Sequence, residues 1–426
     1  MKQRSYSEWR FLGFAAVAMM LAVALFLAAG ALAQQGRVLE PVREVPRAAA
    51  PGGGNWRLLD PLRYENLSIF PVVARQQFDT AGFLTLDEGL ASGEVLVTER
   101  GSEEIRRSRG PDASGRGAHP TFPLDGPHVE GGVQSVEQHR RRQDAGATVN
   151  TLVLVNRSKR PLLLLAGEVV TGGKQDRIIG KDRIVPPGAE PLPLDVFCVE
   201  RGRWSAGNAF KASNLMAHPS VREKAAVAKK QGEVWDAVRR GSTSDQAREY
   251  AFESRSAAGA ALPTAPRMST EALNTVIIDE ARSESYARVY QSPTVVATVD
   301  SFAAEVERRF RDATKEQRVV GVVVAYGGEV AWSDVFASDA LFRRYWPKLL
   351  RSYVVEAVAR PRLQEKASLA DAQRFLAPLE GREQIETEPG VYRWREITEG
   401  RLAQIEIESL LGKAFVLHRV KVQRAS

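Results

Sequence analysis

Two polar stretches set among hydrophobic runs hold the residues whose types could do chemistry. The first is Gly167-Glu168-Val169-Val170-Thr171-Gly172-Gly173-Lys174-Gln175-Asp176-Arg177; the second is Cys198-Val199-Glu200-Arg201-Gly202-Arg203-Trp204. Charged and amide side chains at the ends of strand-forming runs converge on one rim of a sheet. Glu168 and Glu200 are two carboxylates of that rim, and paired carboxyl groups on either side of a sugar bond are the machinery of glycoside hydrolysis. Trp204 would then stack against a sugar ring. A second reading takes Lys174, Gln175, Asp176, Arg177, Arg203 and Trp204 as the lining of a binding site for a polar or anionic ligand, with Glu168 orienting the basic side chains. A third consumes Glu168, Asp176 and Glu200 in an internal ion-pair network. Asp334, in Trp332-Ser333-Asp334 between a strand and a helix, is either a cap or one more ligand contact.

Several other chemistries fail on spacing. A zinc site takes three or four Cys or His ligands, yet His119, His128 and His139 are widely spaced, His218 and His418 are isolated, and neither H-E-x-x-H nor C-x-x-C occurs. No metal and no cofactor is expected. Gly172-Gly173-Lys174 lacks the first glycine and the following Ser or Thr of a phosphate loop. Cys198 shares strand parity with Leu194 and Val196, which makes it a small buried hydrophobe. There is no G-x-S-x-G elbow for a serine nucleophile.

These residues need strands to carry them. Leu67 to Val73, Glu94 to Thr98, Val149 to Val155, Pro161 to Leu165, Arg177 to Ile179, Arg183 to Val185 and Pro191 to Val199 read as short strands separated by Gly, Pro and Asn turns. Such spacing predicts a β-rich, sandwich-like or partly closed barrel region. A capping box, Thr85 to Glu88, opens a short helix that Gly93 closes. A helical stripe follows through Val221, Ala225, Ala228, Trp235 and Val238, and further helices are expected over Glu271–Glu284 and Val299–Arg311. Arg318–Ala325 and Glu329–Trp332 form a hairpin about Gly327-Gly328. A helix capped by Ser338 carries Leu341, Phe342, Tyr345, Trp346, Leu349, Leu350 and Tyr353, with Pro347 expected to bend or divide it. A helix over Ser368–Leu376 and an alternating strand over Gly412–Gln423 end the chain. The fold class is α+β, with an antiparallel β-rich region, then helices, then a smaller α+β region.

The domain reading is 56–250 for the β-rich part, with an Arg-rich insertion at 101–146, a linker at 251–270, and 271–426 for the α+β part. Before them, residues 1–33 read as a signal peptide or an N-terminal anchor, with an uncharged stretch from Phe11 to Gly30, and residues 34–55 as a Pro- and Gly-rich linker. This pattern implies export to the periplasm or outside the cell, with an inner-membrane tether through residues 11–30 as the uncleaved form. The formal charge of +7 is not taken to mean nucleic acid in that setting. It points instead to anionic polymer or lipid, or to solubility. A partner in an envelope complex would use an exposed apolar patch near Trp346 or on the two-helix region.

The segments around Gly167–Arg177 and Cys198–Trp204, with Gly321–Ala325, Asp334–Phe336 and the helix from Leu341 to Tyr353, resemble the ARPP-1 type domain. The likeness runs from about Asn66 to His418. That family's name records genomic association with ADP-ribosylglycohydrolase and rhodanese-phosphatase-like proteins, so the resemblance implies ADP-ribose or nucleotide-derived ligands and supplies no catalytic residues. Two functions follow from the sequence: an exported ligand-binding or scaffold protein, or a metal-independent hydrolase using Glu168 and Glu200 as acid and base.

Overall fold

The computed structural model describes residues 56–99, 151–200, 209–240, 285–360 and 364–424, all within the unit Ala48–Ser426. Strands β1 (Trp56–Leu58), β2 (Leu62–Tyr64) and β3 (Leu67–Ala74) lead to β4 (Leu84–Thr85), helix α1 (Leu86–Ser92) and β5 (Val95–Glu99). Then come β6 (Thr151–Asn156), β7 (Leu162–Leu164), β8 (Glu168–Gly172), β9 (Arg177–Ile179), β10 (Arg183–Val185), β11 (Leu192–Cys198) and β12 (Phe210–Met216). Helices α2 (Pro219–Glu223), α3 (Gln231–Arg240), α4 (Tyr286–Gln291) and α5 (Pro293–Thr314) follow. The chain continues with β13 (Val319–Tyr326), β14 (Glu329–Phe336), α6 (Asp339–Ala359), α7 (Leu369–Leu376), β15 (Arg382–Glu388), β16 (Tyr392–Glu399), β17 (Leu402–Ser409) and β18 (Phe415–Gln423). The fold is α+β in the expected order: a β-rich N-terminal region, helices, and a C-terminal region built on a further sheet.

Strand β13 reads VVGVVVAY and every residue in it is buried. A run without polar alternation is stable as a strand only where both faces are covered, and both are. Val322 and Val324 join the cluster that includes Tyr345, Leu349 and Tyr353 of α6, while Val320 and Val323 pack with Phe375 and Leu376 of α7. The sheet around it has nine strands in the order β1-β3-β13-β14-β18-β17-β16-β15, with β2 added to β3. Strand β3, from the N-terminal region, thus pairs antiparallel with β13 from the C-terminal one. A six-stranded sheet, β12-β8-β9-β11-β6-β5, buries one face against α1 and the short β10-β7-β4 sheet. Its other face contributes Val169 and Ile178 to the cluster that holds α6.

Local signals are realised where their chemistry is local. Thr85 and Glu88 form the capping box of α1, and Gly93 ends it in the left-handed conformation. Tyr326 pairs with Glu329 about the Gly327-Gly328 turn. Pro347 does not divide α6, which continues to Ala359; apolar side chains buried along the helix offset the missing hydrogen bond. The helical stripe from Val221 does divide. A π turn at Lys224–Ala228 ends on Lys229 at φ 54°, where the lysine bonds Glu396 at 2.8 Å and lies over the Trp394 ring. The helix expected over 271–284, the linker at 251–270 and the insertion at 101–146 lie outside the described residues.

The membrane readings are corrected by the structure. Among the described residues no helix is long and apolar enough to cross a membrane. The long helices are α5, which carries Glu305, Glu307, Arg308, Arg309 and Arg311, and α6, which carries Arg343, Arg344, Lys348 and Arg351. The transmembrane assignment, the membrane tether and the inner-membrane anchoring are corrected on that ground, and no described segment supports the export reading. The stretch 11–30 that suggested them lies outside the described residues.

Gly321 tests the packing of the central hairpin. A Cβ there would run into the carbonyl oxygen of Asp334 on β14. Gly321→Ala should lose about 1–3 kcal/mol, the usual range for overpacking, read as a lower urea midpoint at unchanged slope. An unaltered midpoint would contradict the tight pairing of β13 with β14.

Candidate functional site

The turn Leu165-Ala166-Gly167-Glu168 joins β7 to β8, and its peptide groups are bound from several sides. Gly167 sits at φ +99°, and a Cβ there would overlap the side chain of Arg222. Only glycine combines that dihedral with that contact. The Gly167 N–H donates to Ile179 at 2.8 Å, and its carbonyl accepts from the Ala217 N–H at 2.8 Å. Glu168 folds back so that Oε2 accepts the Leu165 N–H at 2.7 Å.

The second oxygen of Glu168 takes a hydrogen bond from Lys348 Nζ on α6. The same ammonium donates to Asp87 Oδ2 of α1 at 2.6 Å, and it lies 4.7 Å from the centre of the Tyr345 ring. Glu168 and Lys348 are buried, whereas the Asp87 side chain is 23% exposed, so the triad reaches solvent at Asp87. One cation serves two carboxylates. Burial pushes the Glu168 carboxyl above its ordinary range; Lys348 opposes this and the Asp87 charge adds to it. Lys348 moves up as well, because its two carboxylates outweigh burial, which alone would lower it. The two directions are those of one cation held between two carboxylates, with burial working against the charge of Glu168.

A second centre lies beside the first. Asp334 on β14 is fully buried and receives five donors. Arg222 of α2 binds it through both terminal nitrogens at 2.9 Å, His418 Nε2 lies at 3.0 Å, Trp332 Nε1 donates at 2.7 Å, and the Tyr353 hydroxyl donates as well. His418 Nδ1 faces Asp182 Oδ2 at 2.8 Å. A histidine with a carboxylate oxygen on each ring nitrogen satisfies both contacts only as an imidazolium, where both nitrogens donate. Burial would lower its pKa, but Asp182 and Asp334 together raise it. The Asp334 carboxyl is held well below the aspartate range, since Arg222 and His418 outweigh the opposing effect of burial. The group is charge-balanced, with Arg222 and His418 against Asp182 and Asp334.

Helix α6 anchors both centres and a third contact set. Lys348 meets Glu168, Tyr353 meets Asp334, and Ser352 donates to the Ala217 carbonyl at 3.0 Å. One turn on, Glu356 accepts from the Ser220 N–H at 3.0 Å and from Arg360 at 2.7 Å.

Most of the remaining residues singled out in the sequence turn inward. Lys174 is exposed, and its backbone N–H donates to Glu99 at 3.1 Å. Gln175, Asp176 and Arg177 are buried. Asp176 accepts the Gly172 N–H at 2.9 Å, and Arg177 donates to the Gln175 carbonyl at 2.6 Å and lies 3.8 Å from Glu99. Glu200 accepts the Asp176 N–H at 3.3 Å. Arg203 and Trp204 lie outside the described residues. Cys198 is buried, and burial pushes its thiol up. Arg177 pairs with Cys198, and Val169 with Ile178, so Glu200 lies beyond the start of β9 and Glu168 beside its end. Four residues of strand, roughly 13 Å, separate the two positions. The register does not bring the two glutamates together.

Asp87, Asp182, Arg222, Lys348 and His418 were not picked out by motif. Spacing carried a signal for Lys348 alone: Lys348, Ser352 and Glu356 recur every four residues along α6, which puts three polar groups on one line of the helix, and all three are buried. Among the described residues, no three His, Cys, Asp or Glu side chains are grouped to hold a metal ion.

Fold and site together define an α+β protein whose polar centres are buried between two sheets and gathered on one helix. The chain belongs to the ARPP-1 family, the ARG and Rhodanese-Phosphatase-superfamily-associated Protein domain, which matches residues 55–424. No curated protein and no solved structure matches it.

Breaking the second centre should cost far more than a surface substitution. Asp334→Asn leaves Arg222 and His418 without their shared anion, and about 3–5 kcal/mol of stability should be lost; a loss below 1 kcal/mol would contradict the pairing. The pH dependence has two limbs. The Asp334 contribution is complete above the unfolded aspartate value of about 3.9 and is lost as pH falls through its depressed folded value. That of His418 is complete below its ordinary value of 6.5 and is lost as pH rises through its raised folded value. The urea midpoint should therefore decline on both sides, and His418→Gln should flatten the alkaline decline. An alkaline limb identical in that variant would contradict a charged His418.

Proposed function

We propose that this chain is a metal-independent hydrolase acting on a glycosidic bond in an ADP-ribose-like substrate, with Glu168 as the acid and Asp87 as its partner carboxylate. The observation that carries this reading is the shared ammonium: Glu168 and Asp87 both bind Lys348 Nζ. Two hydrogen bonds to one Nζ hold the facing oxygens no more than about 6 Å apart, a limit that admits the spacing of retaining glycosidases, roughly 5–5.5 Å. Their environments differ as acid and nucleophile require. Glu168 is buried and favours its proton, while Asp87 stands at the solvent edge.

In the reaction, the Asp87 carboxylate adds to the anomeric carbon as the leaving oxygen or nitrogen takes the proton of Glu168. Water, deprotonated by Glu168, then cleaves the glycosyl ester and restores both groups. Lys348 compensates the Asp87 charge before substrate arrives. The family's association with ARG proteins supports the substrate class. Glu200, the partner suggested by sequence, has its carboxylate on the Asp176 amide at the far end of β8. The ligand-binding alternative loses support, because Gln175, Asp176 and Arg177 are buried.

The test is hydrolysis of O- and N-linked ADP-ribosyl conjugates by the full chain in the presence of a chelator. Turnover should be retained under chelation and should fall by about 10²–10⁴-fold in Glu168→Gln, the usual contribution of a general acid. Asp87→Asn should fall comparably. Absence of turnover across the panel, or a Glu168→Gln variant as active as the parent, would overturn the reading.

A further inference from the structure

The contacts of the second centre close into a ring that starts and ends on one residue. The Ala166 N–H donates to Asp182 Oδ1 at 2.7 Å, and the other Asp182 oxygen meets His418 Nδ1 at 2.8 Å. His418 Nε2 meets Asp334 Oδ1 at 3.0 Å, and Asp334 binds both terminal nitrogens of Arg222 at 2.9 Å. Arg222 Nε then donates to the Ala166 carbonyl at 2.8 Å. Asp182 of the β9–β10 turn and Arg222 of α2 therefore grip the two peptide groups that flank the Ala166 α-carbon, and His418 of β18 and Asp334 of β14 join them.

We propose that Asp182, His418, Asp334 and Arg222 are positioning residues for Glu168, and that the ring sets the backbone of the Leu165–Glu168 turn so that the carboxyl meets Lys348 and Asp87. The inference rests on the preceding reading only in taking Glu168 as the working carboxyl.

Three observations carry it. The ring holds the amide before Ala166 Cα and the carbonyl after it, which fixes both backbone dihedrals of that residue. Next in the chain, Gly167 occupies φ +99°, a conformation open to glycine and rarely to other residues, and Arg222 packs directly against it. Glu168 is tied into the same turn, since its carboxylate accepts the Leu165 N–H at 2.7 Å while its own N–H donates to the Leu165 carbonyl at 3.2 Å. A shift at Ala166 is therefore transmitted to the Glu168 side chain through a few covalent bonds. Stability alone is a weak reason to bury two cations and two anions, because a packed apolar cluster of similar volume is usually as stable or more so. Placing one turn to within a fraction of an ångström is a use that apolar packing serves less well.

The test uses the full chain and two readouts that do not depend on turnover: amide exchange at Leu165 and Ala166, and the NMR titration of the Glu168 side-chain carboxyl carbon. In the parent protein both amides should exchange as slowly as those of β13, and faster local exchange would overturn the proposal without any variant. Arg222→Lys keeps the charge but loses the Nε donor and the planar fork; Asp182→Asn keeps the shape. In each, exchange at Leu165 should rise on the order of tenfold and the Glu168 midpoint should move by about one pH unit. Phe70→Leu, in the cluster on the other face of the sheet, is the control for general destabilisation. Changes no larger than in that control would overturn the ring's role. Absence of turnover in the parent protein, with these shifts still seen in the variants, would sink the proposed reaction and leave the ring standing. Turnover present with Glu168 unmoved would do the reverse.

Discussion

The Asp334 carboxylate is the interaction on which the polar interior depends. A fully buried carboxylate is costly unless its lone pairs are filled by donors and its charge is met by cations. Asp334 meets both conditions with Arg222, His418, Trp332 and Tyr353. Each of those donors comes from a different element or a different position on one, so satisfying a single carboxylate fixes α2, β14, β18 and α6 relative to one another. His418 then requires a second carboxylate, Asp182, which draws the β9–β10 turn into the same set.

The consequence for the site is that local geometry is inherited from distant segments. The Leu165–Glu168 turn belongs to the N-terminal β-rich region, yet Asp334, Lys348 and His418, which surround it, come from the C-terminal region. Helix α6 is the common support. Its apolar residues fill the cluster beneath the nine-stranded sheet, and its polar residues end on Glu168, Ala217, Asp334 and the Ser220 amide. The Asp87–Lys348–Glu168 triad differs from the ring in one respect that matters chemically: it has one cation for two carboxylates, and burial pushes the Glu168 carboxyl up.

Much of the fold was legible because its signals are short-range. The capping box at Thr85, the Gly327-Gly328 hairpin, the apolar run of β13 and the alternation of β18 each state their structure within about ten residues. The pairing of β3 with β13 was not legible, since two strands buried along their whole length and nearly all apolar carry no mark that selects one partner from another. The site was legible in part. Gly167 and Glu168 stood out because a polar pair interrupts strand-forming sequence, and both lie at the centre of the observed geometry. Glu200 stood out for the same reason, but its register places it at the far end of β8. Asp182, Arg222 and His418 looked isolated because each is separated from its charged partner by 84 to 236 residues along the chain. The four-residue recurrence of Lys348, Ser352 and Glu356 was the readable trace of the part that α6 plays.

The central physical claim is the charge balance of the ring, and locating its protons tests it most directly. Neutron diffraction from perdeuterated crystals near neutral pH would show which atoms of His418, Asp182 and Asp334 carry deuterium. Deuterium on both ring nitrogens of His418 and none on either aspartate is the expected result. A singly protonated His418 beside a protonated Asp182 or Asp334 would contradict it.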